Sequence, residues 1–112
     1  MLPRENRLVR KPDFEKVKEK GKKFQSNLFG LLVYPTGNKN SRFGFIISTK
    51  LSKRAVKRNR VKRILRDQVR LLLPKIKPGF DVVFLGKKAL LESNYKEMGL
   101  EIKRLFKKSG LL

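Results

Sequence analysis

Between Lys50 and Arg70 the chain carries ten basic residues: Lys50, Lys53, Arg54, Lys57, Arg58, Arg60, Lys62, Arg63, Arg66 and Arg70. Only Asp67 opposes them. The chemistry such a run can do is to bind phosphate. A guanidinium is planar, permanently charged and able to hold two phosphate oxygens at once, so an Arg-rich run suits a polyanion better than a Lys-rich one. Spacing decides whether the charges can act together. At about 100° per helical residue, Val61, Ile64, Leu65, Val69 and Leu72 fall on one arc. Asn59, Arg63, Arg66 and Arg70 fall on the opposite arc, flanked by Arg60 and Lys62. Successive rungs of that ladder lie about 5–6 Å apart, within reach of neighbouring phosphates on a folded nucleic acid. A helix stabilised only for its own sake would alternate acids with bases at i,i+4, and this one does not. Basic residues alone do not separate RNA from DNA, but Gln68 points toward the apolar arc, which disfavours a base-reading recognition helix.

The rest of the composition agrees with a polyanion partner. In 112 residues, 30 Lys and Arg against 9 Asp and Glu leave a net charge of +21. Self-repulsion on that scale disfavours a compact state unless anions sit close by. There is no Cys and no His, which removes disulfides, thiolate chemistry, the usual zinc ligands and any nucleophile activated by His. The acids (Glu5, Asp13, Glu15, Glu19, Asp67, Asp81, Glu92, Glu97 and Glu101) form no paired motif that would hold two metal ions. No apolar run approaches a membrane span, and the basic N-terminus lacks the apolar stretch of a secretory signal. A soluble, cytoplasmic chain with no membrane partner is expected.

The elements that must position the ladder follow from periodicity. Pro12 and Asp13 open a first helix, Phe14 and Val17 form its narrow apolar stripe, and Gly21 stops it. Residues 27–34 read as a strand with Phe29, Leu31 and Val33 on one face and Gly30, Leu32 and Tyr34 on the other. Residues 42–49 read as a second strand, with Phe43, Phe45 and Ile47 alternating against Gly44, Ile46 and Ser48. The polar loop between them predicts an antiparallel hairpin. The basic helix spans 52–73 and ends at Pro74, Pro78 and Gly79. A further strand covers 80–85, and an amphipathic helix over 92–108 closes the chain. The order is αββαβα, an α+β fold in a single domain covering 1–112.

Arg58-Asn59-Arg60-Val61-Lys62-Arg63, continued by Ile64-Leu65-Arg66-Asp67, resembles the RNR motif of the bacterial ribonuclease P protein subunits. The approach, residues 48–56, is similar to the lead-in from strand to helix in that family. Arg7-Leu8, Asp13-Phe14, Gly21, Arg42-Phe43-Gly44 and Phe80-Asp81-Val82-Val83 agree in order and spacing, so the resemblance covers roughly residues 5 to 108.

The resemblance implies a small α-β sandwich like a domain of a small-subunit ribosomal protein. Its mixed sheet has about four strands and an unusual left-handed βαβ crossover. It further implies the non-catalytic subunit of an RNA-catalysed endoribonuclease that removes the 5′ leader from precursor tRNA, with Mg2+ bound mainly by the RNA and no obligate protein partner. By matching position, Lys53, Arg58, Asn59, Arg60, Lys62, Arg63 and Arg66 are expected at the RNA subunit. Phe14, Lys18, Leu32, Tyr34, Ile46, Ser48, Lys50 and Lys87 are expected in or beside a cleft for the single-stranded leader. Asn59 and Asp67 are candidates for indirect contact with a magnesium ion. Lys18 stands where the family often has a second aromatic, Thr49 where a first Lys is common, and Gly86 where an Arg is frequent. A ribosomal or other structural RNA-binding protein is the alternative that composition alone leaves open.

Overall fold

The computed structural model describes residues 2–112. Four α-helices and four strands follow in order, besides two short 3-10 turns: α1 (Lys11–Lys20), β1 (Lys22–Gln25), β2 (Phe29–Pro35), β3 (Arg42–Ile46), α2 (Ala55–Leu72), β4 (Phe80–Gly86), α3 (Lys88–Leu91) and α4 (Tyr95–Ser109). The fold is α+β on one four-stranded mixed sheet, with strands in the order β1-β2-β4-β3. Pro12 sits in the first turn of α1 and Gly21 follows its end. Asn94 caps α4 by accepting a hydrogen bond from the Glu97 amide, and Gly110 ends it in the left-handed region at φ 85°.

The expected hairpin between the second and third apolar runs does not form. Strand β4 lies between β2 and β3, antiparallel to the first and parallel to the second. The loop after β2 shows why. The Thr36 amide donates to Gly79 O at 2.8 Å, Ser41 Oγ donates to Lys77 O at 2.7 Å, and the Phe80 amide donates to Ser41 Oγ at 3.1 Å. The loop therefore clasps the entry to β4, and β3–α2–β4 becomes a βαβ unit with neighbouring parallel strands. Two elements are additional to the sequence-based order. Strand β1, Lys-Lys-Phe-Gln, pairs antiparallel with β2 and supplies the fourth strand. The short α3 precedes α4, which starts at Tyr95 rather than at Glu92.

The sheet has two unequal faces. On one, Phe29, Leu31, Val33, Phe43, Val82 and Phe84 pack against Val61, Leu65 and Val69 of α2 and Met98, Ile102, Leu105 and Phe106 of α4. Phe84 stands at the centre, with ring centroids 5.0 Å from Phe29, 4.9 Å from Phe45 and 6.0 Å from Phe106. Burying such rings in contact adds to the hydrophobic gain of the area itself. The other face holds a smaller cluster, Leu8, Val17, Leu32 and Val83, with Phe14, Tyr34, Ile46 and Leu85 half-buried around it. One helix, α1, covers that face and leaves part of it open.

Candidate nucleic-acid interface

Helix α2 divides as its spacing predicts. Val61, Leu65, Gln68 and Val69 are buried on the sheet side, and Asn59, Arg60, Arg63 and Arg66 are exposed. Lys53, just before the helix, is exposed too, and Lys62 is half-buried. The start of the helix is electrostatically unusual. Arg54 occupies the N-cap position with no side-chain hydrogen bond, and the first turn has no acid. Free amides and the positive end of the helix dipole thus coincide with Arg54, Lys57 and Arg58, an arrangement that an anion stabilises and that nothing acidic in the first turn offsets. Arg58 differs from its neighbours. Its Nη1 donates to Ser52 O at 2.7 Å, so it braces the lead-in turn as well as carrying charge.

Asp67, the lone acid of the helix, is engaged at both oxygens. Arg70 Nη2 donates to Oδ1 at 2.8 Å and the Tyr95 hydroxyl donates to Oδ2 at 3.1 Å. The Arg70 hydrogen bond, then that of Tyr95, holds the carboxyl below its ordinary value of 3.8. Among the described residues no three His, Cys, Asp or Glu side chains gather where they could hold a metal ion. Asn59 and Asp67 line the same groove, where both carboxylate oxygens of Asp67 already accept hydrogen bonds.

On the opposite face the family-like motif pieces converge on one place. Arg42 at the start of β3 donates from Nε and Nη2 to Asp81 of β4 at 2.9 and 2.7 Å. Its Nη1 reaches Asp13 of α1 at 3.4 Å. Leu8 donates its amide to Phe43 O at 2.9 Å, laying the N-terminal segment along β3. Gly44 lies directly beneath Phe14, and any Cβ there would overlap the ring. A Phe on a helix and a Gly on a strand, thirty positions apart, are thus one structural unit.

Beside helix α1 a row runs across the sheet, Gln25, Gly30, Leu85 and Ile46, in register on β1, β2, β4 and β3; Gln25 is exposed, Leu85 and Ile46 are half-buried and Gly30 is buried. Phe14 and, one turn on, exposed Lys18 stand on α1; half-buried Ile46 and Leu85 form the floor. Tyr34 is half-buried, with Lys16 Nζ 5.8 Å from its ring centroid. Ser48 and Lys50 follow β3 in a turn, where the Lys50 amide donates to Ser48 Oγ. Leu32 belongs to the floor differently from the sequence-based expectation: it is 6% exposed, so it shapes the surface from below. Lys87 also differs, since its Nζ donates to Ser26 O at 2.7 Å and ties the end of β4 to the β1–β2 turn. At Gly86 a Cβ would meet the movable ends of Ile47, 2.6 Å from Cδ1, and Leu90, 3.1 Å from Cδ2.

Sequence reasoning passed over Gln25 and Lys23. They lie on β1, which was not recognised as a strand, and alternation along it puts both on the cleft face. It also passed over Tyr95. No signal within α2 points to a residue 28 positions beyond Asp67. A hollow of about 250 Å³ at the β3 edge is bordered by both Phe14 and Arg66, so the two surfaces meet around that edge.

The family model described as Ribonuclease P matches residues 2–110. The chain is 37% identical to the "Ribonuclease P protein component" of Pseudanabaena sp., with all of this chain and 97% of the relative covered. It is 38% identical to the protein of the same name from Synechocystis sp., covering 99% of this chain and 90% of the other. Among solved structures, the "RNase P protein from Thermotoga maritima" is similar at a TM-score of 0.82 and 29% identity, over 91% of this chain and 96% of that one.

Proposed function

The chain belongs to the ribonuclease P protein family, and from that premise we propose that it uses two surfaces on opposite sides of its sheet to hold two RNAs at once. As a component of ribonuclease P it takes part in removing the 5′ leader from precursor tRNA. No helix in the described residues is long and apolar enough to cross a membrane. The exposed side of α2, with Lys53, Arg58, Asn59, Arg60, Lys62, Arg63 and Arg66, binds the RNA subunit. The open row beside α1 binds the single-stranded leader. The observation that carries this reading is the division of α2. A helix whose apolar arc packs on the core, and whose outer arc is arginine-rich with a single acid, Asp67, already paired with Arg70, is built for phosphate.

The leader surface works differently. A single strand bound without strong sequence preference needs platforms for bases and cations for the backbone. Phe14, Tyr34 and Ile46 supply platforms; Lys18 and Lys50 supply charge. Lys87, held by Ser26, positions the β1–β2 turn at the cleft's end. In this reading the magnesium that the RNA-catalysed hydrolysis requires is held mainly by the RNA. The protein's contribution is to screen repulsion between the two RNAs and to fix the leader near the RNA's catalytic site.

The test is leader release from precursor tRNA by a bacterial ribonuclease P RNA at low magnesium, with and without the protein. Wild type is expected to stimulate cleavage. An Arg60→Ala, Arg63→Ala protein should stimulate less and regain activity at high protein concentration. Those two positions are preferable to Arg58, whose bond to Ser52 O mixes folding with binding. Tight RNA binding by wild type with no stimulation would defeat the reading.

A further inference from the structure

The groove between α2 and the start of α4 is not accounted for by an arginine ladder alone. It has a volume of about 670 Å³ and is lined by Asn59, Arg63, Ile64, Arg66, Asp67 and Tyr95, in the size range of clefts that hold small organic groups. Tyr95 is clamped from α2 at both ends. The Gln68 side-chain amide, itself buried, donates to Tyr95 O at 2.9 Å. The Tyr95 hydroxyl donates to Asp67 Oδ2 at 3.1 Å. Gly99 makes room for Gln68, whose Oε1 would stand 3.0 Å from a Cβ there. Yet Tyr95 remains 47% exposed.

A tyrosine serving only to join two helices would bury its ring. This one is held at its backbone carbonyl and its hydroxyl while the residue stays about half exposed, beside Arg63 and Arg66. Immobilising an aromatic before binding removes part of the ordering cost of stacking on it. The acid in the groove does not repel a phosphate, because Arg70 is paired with it at 2.8 Å. Ile64 adds apolar floor. Aromatic face, apolar floor and flanking guanidinium groups together match a nucleotide whose base is out of its helix, and a duplex offers no such free face.

Resting on the reading that α2 meets the RNA subunit, we propose that this groove receives one unpaired nucleotide of that RNA, its base stacked on Tyr95 and its flanking phosphates held by Arg63 and Arg66. The site is separate from the leader cleft, which lies across the sheet.

The test compares Tyr95→Leu, Tyr95→Phe and Tyr95→Trp for binding to a bacterial ribonuclease P RNA, together with chemical probing of that RNA in each complex. Tyr95→Leu is expected to bind roughly tenfold more weakly, as for loss of one base-aromatic stack. Tyr95→Phe keeps the stacking face and should stay within about threefold of wild type. One unpaired nucleotide protected by wild type and Tyr95→Phe should become reactive with Tyr95→Leu, while the other protections persist. The chain has no Trp, so Tyr95→Trp provides a single fluorophore that should be quenched on RNA binding. Wild-type affinity in Tyr95→Leu, an equal loss in Tyr95→Phe and Tyr95→Leu, or an emission unchanged by RNA would each overturn the assignment. Failure of wild type to bind the RNA at all would overturn the α2 reading beneath it as well.

Discussion

The two surfaces proposed to face RNA are built in opposite ways. The α2 face is local: its cations lie on successive turns of one 18-residue helix, and that helix's own periodicity turns them outward. The proposed leader cleft is assembled from α1 and all four strands, and its shape depends on Arg42 joining Asp13 to Asp81 and on Gly44 admitting Phe14. A local charged surface tolerates loss of one rung with little effect on the fold. An assembled cleft rests on contacts whose loss disturbs the protein before it disturbs binding.

The sharpest way to break that comparison is Arg42→Ala. It strands Asp81, which is 4% exposed, without its guanidinium partner, and the expected cost is about 3 kcal/mol of stability. A thermal melt should show a large drop, whereas melts of Arg60→Ala and Arg63→Ala, both at exposed positions, should stay near wild type. If Arg42→Ala melts normally, the cleft does not depend on that junction.

Next in size is the Arg60→Ala, Arg63→Ala pair measured against salt. Two lost phosphate contacts should lower affinity for the RNA subunit by roughly ten- to a hundredfold and make the log–log salt slope shallower by about two. Precursor and mature tRNA should be affected alike.

Phe14→Ala probes the other surface and discriminates by substrate. Loss of one stacking platform should weaken holoenzyme binding of precursor tRNA by about tenfold, leave mature tRNA unaffected and leave the salt slope unchanged. An equal effect on both tRNAs would mean that Phe14 acts only as the filler over Gly44.

The smallest expected effect is at the α2–α4 junction under acid. The Asp67 carboxyl is depressed in the folded state by Arg70 and Tyr95. Its contribution is therefore fully present above its unfolded value near 3.8 and is lost as pH falls through the lower folded value. Wild type and Asp67→Asn should differ in stability at neutral pH and converge below that range; melts at several pH values would show it. A constant difference would mean that ionisation of Asp67 does not stabilise the junction.

What was legible in the sequence follows from how far each feature reaches along the chain. The alternation of Phe29, Leu31 and Val33 against Gly30, Leu32 and Tyr34 is a property of consecutive residues, and the sheet's two faces follow it. Gln68 on the apolar side of α2 was likewise a matter of angle, and it is buried. Strand β1 escaped notice because Lys22, Lys23 and Gln25 are exposed edge positions, leaving Phe24 as the only apolar residue to mark a strand. The expected hairpin fails for a different reason. A polar loop with Pro35 and Gly37 suits a reversal onto the next strand and suits a clasp around a distant one equally well.

The sequence by itself determined a basic, single-domain α+β chain, the two arcs of its longest helix and the family resemblance. These depend on composition, periodicity and motif order, which need no knowledge of what lies across the fold. Only the tertiary structure decided that β4 separates β2 from β3, that Arg42 joins three elements, and that Tyr95 lies against Asp67. Those are pairings between residues 28 to 57 positions apart. Which partner wins is settled by the collective burial of one aromatic core and by the hydrogen bonds that the intervening loops must satisfy.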